Sequence, residues 1–334
     1  MGCTVVAGAF WGDEGKGKIV SYLALKDKVD VCVRTGSVNA AHTVLFEGKR
    51  YALHMVPAGF VYDKCRLLVC AGANVHVPQF LKEVEETGVK GRVGIDGQAS
   101  IIEPQHSEMD KSDGHLKSLG TTGWGVGPAV QDRAKRSAKL ARDVPELRPF
   151  LANVAEEANN AIDAHKNVVL EGTQGLMLSL FHGTYPYVTS RDTSASAVCS
   201  EAGVGPSRVD TVLIVYKSFI TRVGTGDLPG ELSKEEALRR GWFEKAAGTG
   251  RERRSAPFDF GLAKKVARIN GATEAAVTKL DVLYPACRGT RSFSEMPLEA
   301  KEFIFKVERI AGIPVSIIGT GPDALDIIDR RSDT

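Results

Sequence analysis

Short apolar runs alternate with stretches of helical spacing along this chain, and that alternation leaves few folds open. The runs lie at residues 4–9, 30–34, 66–71, 167–170, 209–216, 275–278 and 315–318. Each is too uniformly apolar for a strand with one wet face, so both faces are expected to be covered, as in parallel sheets. Helical patterns at residues 80–87, 144–165, 263–270 and 298–310 supply the crossovers that parallel strands need. Residues 324–330 read as a closing turn or helix. The expectation is an α/β fold with a central, mostly parallel sheet, formed by one large domain over residues 1–334. Internal repeats and a Pro-rich linker are absent. Glycine-rich stretches at 120–127, 224–230 and 246–251 are expected to be functional loops, which need backbone freedom.

Composition narrows the function classes. A formal charge of +2 on 334 residues gives no global pull toward nucleic acid or membranes. The six cysteines form no Cys-x-x-Cys pair, so zinc-ligand spacing is missing. Several sit within apolar runs, such as Cys32 and Cys70, and read as buried free thiols suited to a reducing compartment. Neither a signal-peptide pattern nor an apolar run of membrane-spanning length is visible, so a cytoplasmic location is expected.

The first apolar run leads into Gly12-Asp-Glu-Gly-Lys-Gly17-Lys18, which has the spacing of a phosphate-binding loop. A helix-like stretch begins near Lys18. Glycines there let backbone N–H groups converge on phosphate oxygens, and the helix N-terminus adds positive potential. A plain glycine-rich turn is the bland alternative; placement between strand and helix argues against it. Two features are unusual. Ile19 stands where an ordinary P-loop has a Ser or Thr for Mg²⁺, and Asp13 and Glu14 place carboxylates beside the phosphates. An anion there is costly unless a cation bridges it or it does chemistry. Asp13 is therefore read as a metal ligand, a base, or both.

The string Trp11-Gly-Asp-Glu-Gly-Lys-Gly-Lys18 resembles the first signature of the adenylosuccinate synthetase family. Asn39-Ala-Ala-His-Thr43, Gly120-Thr-Thr-Gly-Trp-Gly-Val-Gly-Pro-Ala129, Glu171-Gly-Thr-Gln-Gly175 and Tyr185-Pro-Tyr-Val-Thr-Ser190 resemble further family motifs in the family's order. So do Gly248-Thr-Gly-Arg251, Thr278-Lys-Leu-Asp-Val-Leu283 and Thr320-Gly-Pro-Asp323. The short chain looks most like the compact archaeal branch and its viral relatives.

The resemblance implies a GTP-dependent ligase that joins aspartate to C6 of a 6-oxopurine nucleotide through a 6-phosphoryl intermediate. It implies Asp13 as base and Mg²⁺ ligand, with the Ala41 carbonyl completing the metal shell where the family has glycine. His42 resembles the general acid at the β–γ bridging oxygen, and Lys16 and Gln174 join the catalytic set. A lone histidine is by default a surface or core residue; the Asn-Ala-x-His-Thr context argues for function. Asn39, Thr122, Gln174, Thr189 and Val223 match contacts to the purine nucleotide. Arg136 matches an arginine that reaches the neighbouring subunit's nucleotide, which implies a homodimer with shared sites. For GTP, the matching positions are Gly12, Glu14, Gly15, Lys16, Gly17, Lys18, Thr43, Lys279, Asp281, Gly321 and Pro322. Asp281 resembles the guanine reader, since a carboxylate accepts two hydrogen bonds that guanine offers and adenine does not. Thr249, Arg251 and Arg253 match the loop that grips aspartate, where guanidinium forks suit a dicarboxylate.

IMP is the leading acceptor, favoured by the retained Asp13. The alternative is GMP or dGMP, giving a 2-aminoadenylosuccinate for 2-aminoadenine DNA; Ala41, Trp124, Thr225-Gly-Asp227 and Glu252 depart from the family near the substrate positions. A P-loop GTPase switch is a remote alternative against which Ile19 counts. A non-catalytic homologue is another, against which the presence of Asp13, Lys16 and His42 counts.

Overall fold

The computed structural model describes residues 2–246 and 250–332. Ten strands form its main sheet: β1 (Cys3–Gly8), β2 (Val31–Arg34), β3 (Arg66–Val69), β4 (Val93–Asp96), β5 (Leu151–Ala152), β6 (Val168–Glu171), β7 (Thr211–Lys217), β8 (Glu274–Thr278), β9 (Val315–Gly319) and β10 (Ile327–Asp329). Their spatial order is β10-β9-β8-β7-β1-β6-β2-β3-β4-β5. Every neighbouring pair is parallel except β9 with β10. All six residues of β1 are buried, as expected for a strand between two helical layers.

Helices α1 (Lys16–Lys26), α2 (Val77–Thr87), α3 (Val126–Lys135), α4 (Val154–Asp163), α5 (Ala195–Ala202), α6 (Phe260–Asn270) and α7 (Leu298–Ala311) lie among the crossovers. Their starts follow capping chemistry rather than apolar spacing alone. The Asp259 side chain accepts a hydrogen bond from Leu262 N at 2.8 Å, so α6 begins earlier than the pattern at 263 suggests.

Two expectations are corrected. The helical pattern over 144–165 is not one helix: Pro145–Phe150 forms a 3₁₀ segment with Pro149 inside it, and edge strand β5 follows. Asn153 then caps α4 by accepting from Glu156 N. Proline removes a backbone donor and clashes with the preceding turn, so the period could not propagate. The segment expected at 324–330 as a closing turn or helix is a turn at 324–325 followed by strand β10; Ile327 and Ile328 are buried against β9, where branched side chains pack well.

All six cysteines are buried and free, and burial pushes the Cys3 and Cys65 thiols up to about 12. Among the described residues no helix is long and apolar enough to cross a membrane.

Candidate active site

The carboxyl ends of the central parallel strands open on a cavity of about 770 Å³. Such ends are where open α/β sheets bind ligands, because the loops there diverge. Segments far apart in sequence converge on it. Gly12, Asp13, Gly15, Lys16, Gly17 and Lys18 line one side, with Asn39, Ala41, His42 and Thr43 beside them. Thr122, Gln174, Thr189 and Val223 line another part, and Arg251, Arg253, Lys279, Gly321 and Pro322 complete the set of expected residues found there. Glu14, Arg136 and Asp281 do not line the cavity, and Thr249 lies outside the described residues.

The phosphate loop is built by backbone geometry. Gly15 holds the left-handed conformation at φ 89° and caps α1 without a side-chain hydrogen bond, which leaves the helix's first N–H groups for an anion. Asp13 also takes a positive φ, 62°, a conformation that aspartate tolerates better than most residues. A Cβ on Gly17 would lie 2.8 Å from the His42 Cβ, so glycine there lets the histidine strand approach the start of α1.

Three charged groups of the loop have different tasks. Asp13 faces the cavity, where its Oδ1 pairs with Arg253 at 2.7 Å. Glu14 turns inward: its Oε1 accepts from Phe10 N at 2.9 Å and Gly12 N at 2.8 Å, and its Oε2 pairs with Lys16 at 2.7 Å. The Glu14 side chain is thereby a brace that holds the loop's own backbone, and a contact of this residue with GTP would fall to its main chain. The Lys18 ammonium donates to Gly321 O at 2.5 Å and Asp326 O at 2.8 Å, which ties α1 to the expected guanine loop. Burial, opposed by Asp326 and Asp281, lowers the Lys18 pKa to about 8.

His42 starts the hairpin of His42–Phe46 and Lys49–Leu53. Its Nδ1 faces Glu171 Oε1 at 2.5 Å and contacts Arg34 Nη1. Its Nε2 is buried without a partner among the described residues. Burial first, then the Arg34 charge, lowers its pKa to about 3. Burial alone would raise the Glu171 carboxyl; Arg34 and the His42 hydrogen bond bring it down to about 2.

On the opposite wall, the small antiparallel sheet of Ile220–Arg222, Glu252–Ala256 and Glu244–Lys245 carries successive arginines toward different loops. Arg251, just before it, donates to Gly120 O at 2.8 Å. Arg253 bridges Asp13 and Glu244, the latter at 2.5 Å. Arg254 donates to Gly224 O at 3.0 Å and Gly226 O at 2.7 Å. Glu244 also meets Lys217 at 2.8 Å and Lys279 at 3.4 Å. Burial works to raise its carboxyl, but Lys217, Lys279 and Arg253 hold it at about 2.

Comparison with known proteins gives the site a family. The family model described as adenylosuccinate synthetase matches residues 5–146 and 138–287. The adenylosuccinate synthetase of Thermococcus sibiricus is 50% identical over 332 residues, covering 98% of each chain. The chain belongs to the adenylosuccinate synthetase family. The family's enzyme from Methanocaldococcus jannaschii is 49% identical, covering 99% of this chain and 97% of that one. A fully ligated adenylosuccinate synthetase from Plasmodium falciparum superposes with a TM-score of 0.91 at 26% identity, over 98% of this chain and 99% of its own. The succinoaminodeoxyadenylate synthetase PurZ of cyanophage S-2L shares the fold, with a TM-score of 0.84 at 21% identity over 98% of this chain and 95% of its own.

Against that family background, sequence reading singled out neither Arg34, Glu171, Glu244 nor Lys217. Arg34 and Glu171 did leave a signal. Each is a charged residue closing an otherwise apolar strand, at the end where a parallel sheet meets its ligand. Glu244 left none, since its partners come from remote loops.

Proposed function

We propose that this chain is a C–N ligase that uses GTP to join aspartate to C6 of IMP, forming adenylosuccinate. Removal of the purine N1 proton puts charge on O6, which attacks the γ-phosphate. The phosphoryl group then makes O6 a good leaving group for the aspartate amine. Asp13 is the base, because it is a carboxylate of the phosphate loop turned into the cavity rather than into the protein. The observation that carries this reading is its contact with Arg253: the acid beside the triphosphate cradle touches the guanidinium that would grip aspartate. Incoming aspartate would take over Arg253 and leave Asp13 to the purine.

His42 acts at the β–γ bridging oxygen through its unpaired Nε2, and Lys16 and Gln174 complete the catalytic set. Asn39, Thr122, Thr189 and Val223 hold the purine nucleotide, while Arg251 and Thr249 assist Arg253 with aspartate. The residues present suit Mg²⁺: the Asp13 carboxylate and the Ala41 carbonyl are hard oxygen donors beside the phosphate loop, and phosphate oxygens and water would supply the rest. When bound, Mg²⁺ would neutralise charge developing on the transferred phosphoryl group. Arg136 is exposed at the end of α3, away from the cavity, a position suited to a neighbouring subunit's nucleotide in a homodimer.

The test is a substrate panel of IMP, GMP, dGMP and dIMP, each with GTP or ATP and aspartate, with the succinyl product followed by mass spectrometry. IMP with GTP is expected to give the highest kcat/KM. Preference for GMP or dGMP would replace the acceptor while keeping the reaction class.

The guanine assignment has its own test. Among the described residues Asp281 Oδ1 is buried without a partner, and Oδ2 meets Arg288 at 3.4 Å. That leaves acceptor capacity for guanine N1–H and N2–H₂. Asp281→Asn is expected to reduce the kcat/KM preference for GTP over ATP by about 10- to 100-fold, the worth of a charged hydrogen bond. Unchanged preference in competition assays would remove Asp281 from the reader's role.

A further inference from the structure

Arg34 and Glu171 stand side by side in register at the carboxyl ends of β2 and β6. Both are fully buried and neither lines the cavity. The Glu171 carboxylate is fixed at both oxygens. Oε1 accepts from Arg34 Nη1 at 2.5 Å and meets His42 Nδ1 at 2.5 Å, and Oε2 accepts from Ala58 N at 2.8 Å. The other Arg34 nitrogen, Nη2, donates to Ala40 O at 3.3 Å and to Leu53 O and His54 O at 3.4 Å each. One guanidinium thus ties down both ends of the hairpin that carries His42.

With Nδ1 taken by the Glu171 carboxylate and Arg34 Nη1, His42 keeps only Nε2 for other partners, and among the described residues that nitrogen is buried and unpaired. A histidine placed for packing alone would have both ring nitrogens satisfied. Here the ring borders the cavity close to the start of α1, as the Gly17 contact requires.

We propose that Glu171 is a positioning residue for His42: it holds the Nδ1 side of the ring and so aims Nε2 at the bound triphosphate, while Arg34 fixes the carboxylate and the hairpin together. The role is one of orientation and tautomer, which the partner of one ring nitrogen sets for the other. It rests on the reading that His42 acts on the triphosphate.

The test is a double-mutant cycle of Glu171→Gln and His42→Asn in the full-length enzyme, with GTP, IMP, aspartate and Mg²⁺. E171Q is expected to lower kcat by about 10- to 100-fold, with KM for GTP within about twofold of wild type. In the H42N background the same change is expected to cost less than about twofold, because its effect passes through the ring. A full, multiplicative loss on H42N, or wild-type kcat in E171Q, overturns the proposal. Wild-type kcat in H42N instead overturns the reading of His42 itself, so the two failures are told apart. Glu171→Asp, which keeps the charge facing Arg34, takes E171Q's place in the cycle where E171Q does not fold.

A second readout does not use activity. In ¹⁵N spectra of the free enzyme, His42 Nδ1 is expected to be protonated, and to lose that proton in E171Q, where the Arg34 Nη1 already in contact with it is left as its charged partner. An unchanged ring pattern also overturns the proposal.

Discussion

Asp13→Asn is expected to lower kcat for ligation by about 10³-fold or more, because one change removes a general base and a metal ligand. Asparagine is chosen because it is nearly isosteric and tolerates the positive φ of 62° at this position, which alanine would resist. The fold has little reason to suffer. The Asp13 side chain is 27% exposed, and its one ion pair among the described residues is with an arginine that keeps Glu244 as a second partner. The pair is only partly exposed, but Arg253 is not left without a carboxylate, so its loss is expected to cost on the order of 1 kcal/mol. A Tm within a few degrees of wild type is therefore expected, with GTP still protecting the protein against heat. Steady-state kinetics and a thermal melt on the same preparation decide the matter. Turnover within about threefold of wild type would leave the reaction without its base and would sink the assignment.

The same loop shows which parts of the site sequence could reveal. The strand–loop–helix order and the Gly12–Lys18 spacing follow from local rules: uniformly apolar strand residues, glycines at positive φ, and a helix start at Lys16. These are written within a few residues and can be read there. The direction of each side chain cannot. Asp13 and Glu14 are adjacent carboxylates, yet the positive φ at Asp13 sends one into the cavity and lets the other fold back on Phe10 N and Gly12 N. Lys16 and Lys18 look alike in the motif, but one pairs with Glu14 and the other with carbonyls some 300 residues away, at Gly321 and Asp326. The hub around Glu244 is still less visible. Lys217, Arg253 and Lys279 reach it from separate elements, and only sheet order and loop packing bring them together. Pattern reading failed at 144–165 for the converse reason: Pro149 and the Asn153 cap are local signals that outweigh a helical period.

The inward turn of Glu14 sets up a contrast with its neighbour. Glu14→Ala is expected to destabilise the protein strongly and to lose ligation as a consequence. The substitution leaves Lys16, itself 2% exposed, as a buried charge without its carboxylate, and it strips two loop N–H groups of their acceptor. Breaking a buried ion pair from one side costs about 3–5 kcal/mol, which for a chain of this size corresponds to a Tm lower by roughly 4–7 °C. The neighbouring glycines leave no room for compensation. A Cβ on Gly8 would meet Glu14 Oε2 at 2.7 Å and Lys16 Nζ at 2.6 Å, and one on Gly175 would meet Glu14 Oε1 at 2.5 Å, so the carboxylate sits in a slot closed on several sides. Glu14→Gln is expected to fall between the two, since one amide oxygen can still accept from the loop while the charge opposite Lys16 is lost. The decisive comparison is a thermal or denaturant melt of D13N and E14A side by side. A carboxylate that served GTP directly would, when removed, change kcat or KM and leave Tm at or above wild type. A Tm for E14A equal to that of D13N would therefore return Glu14 to the ligand and withdraw its role as a brace.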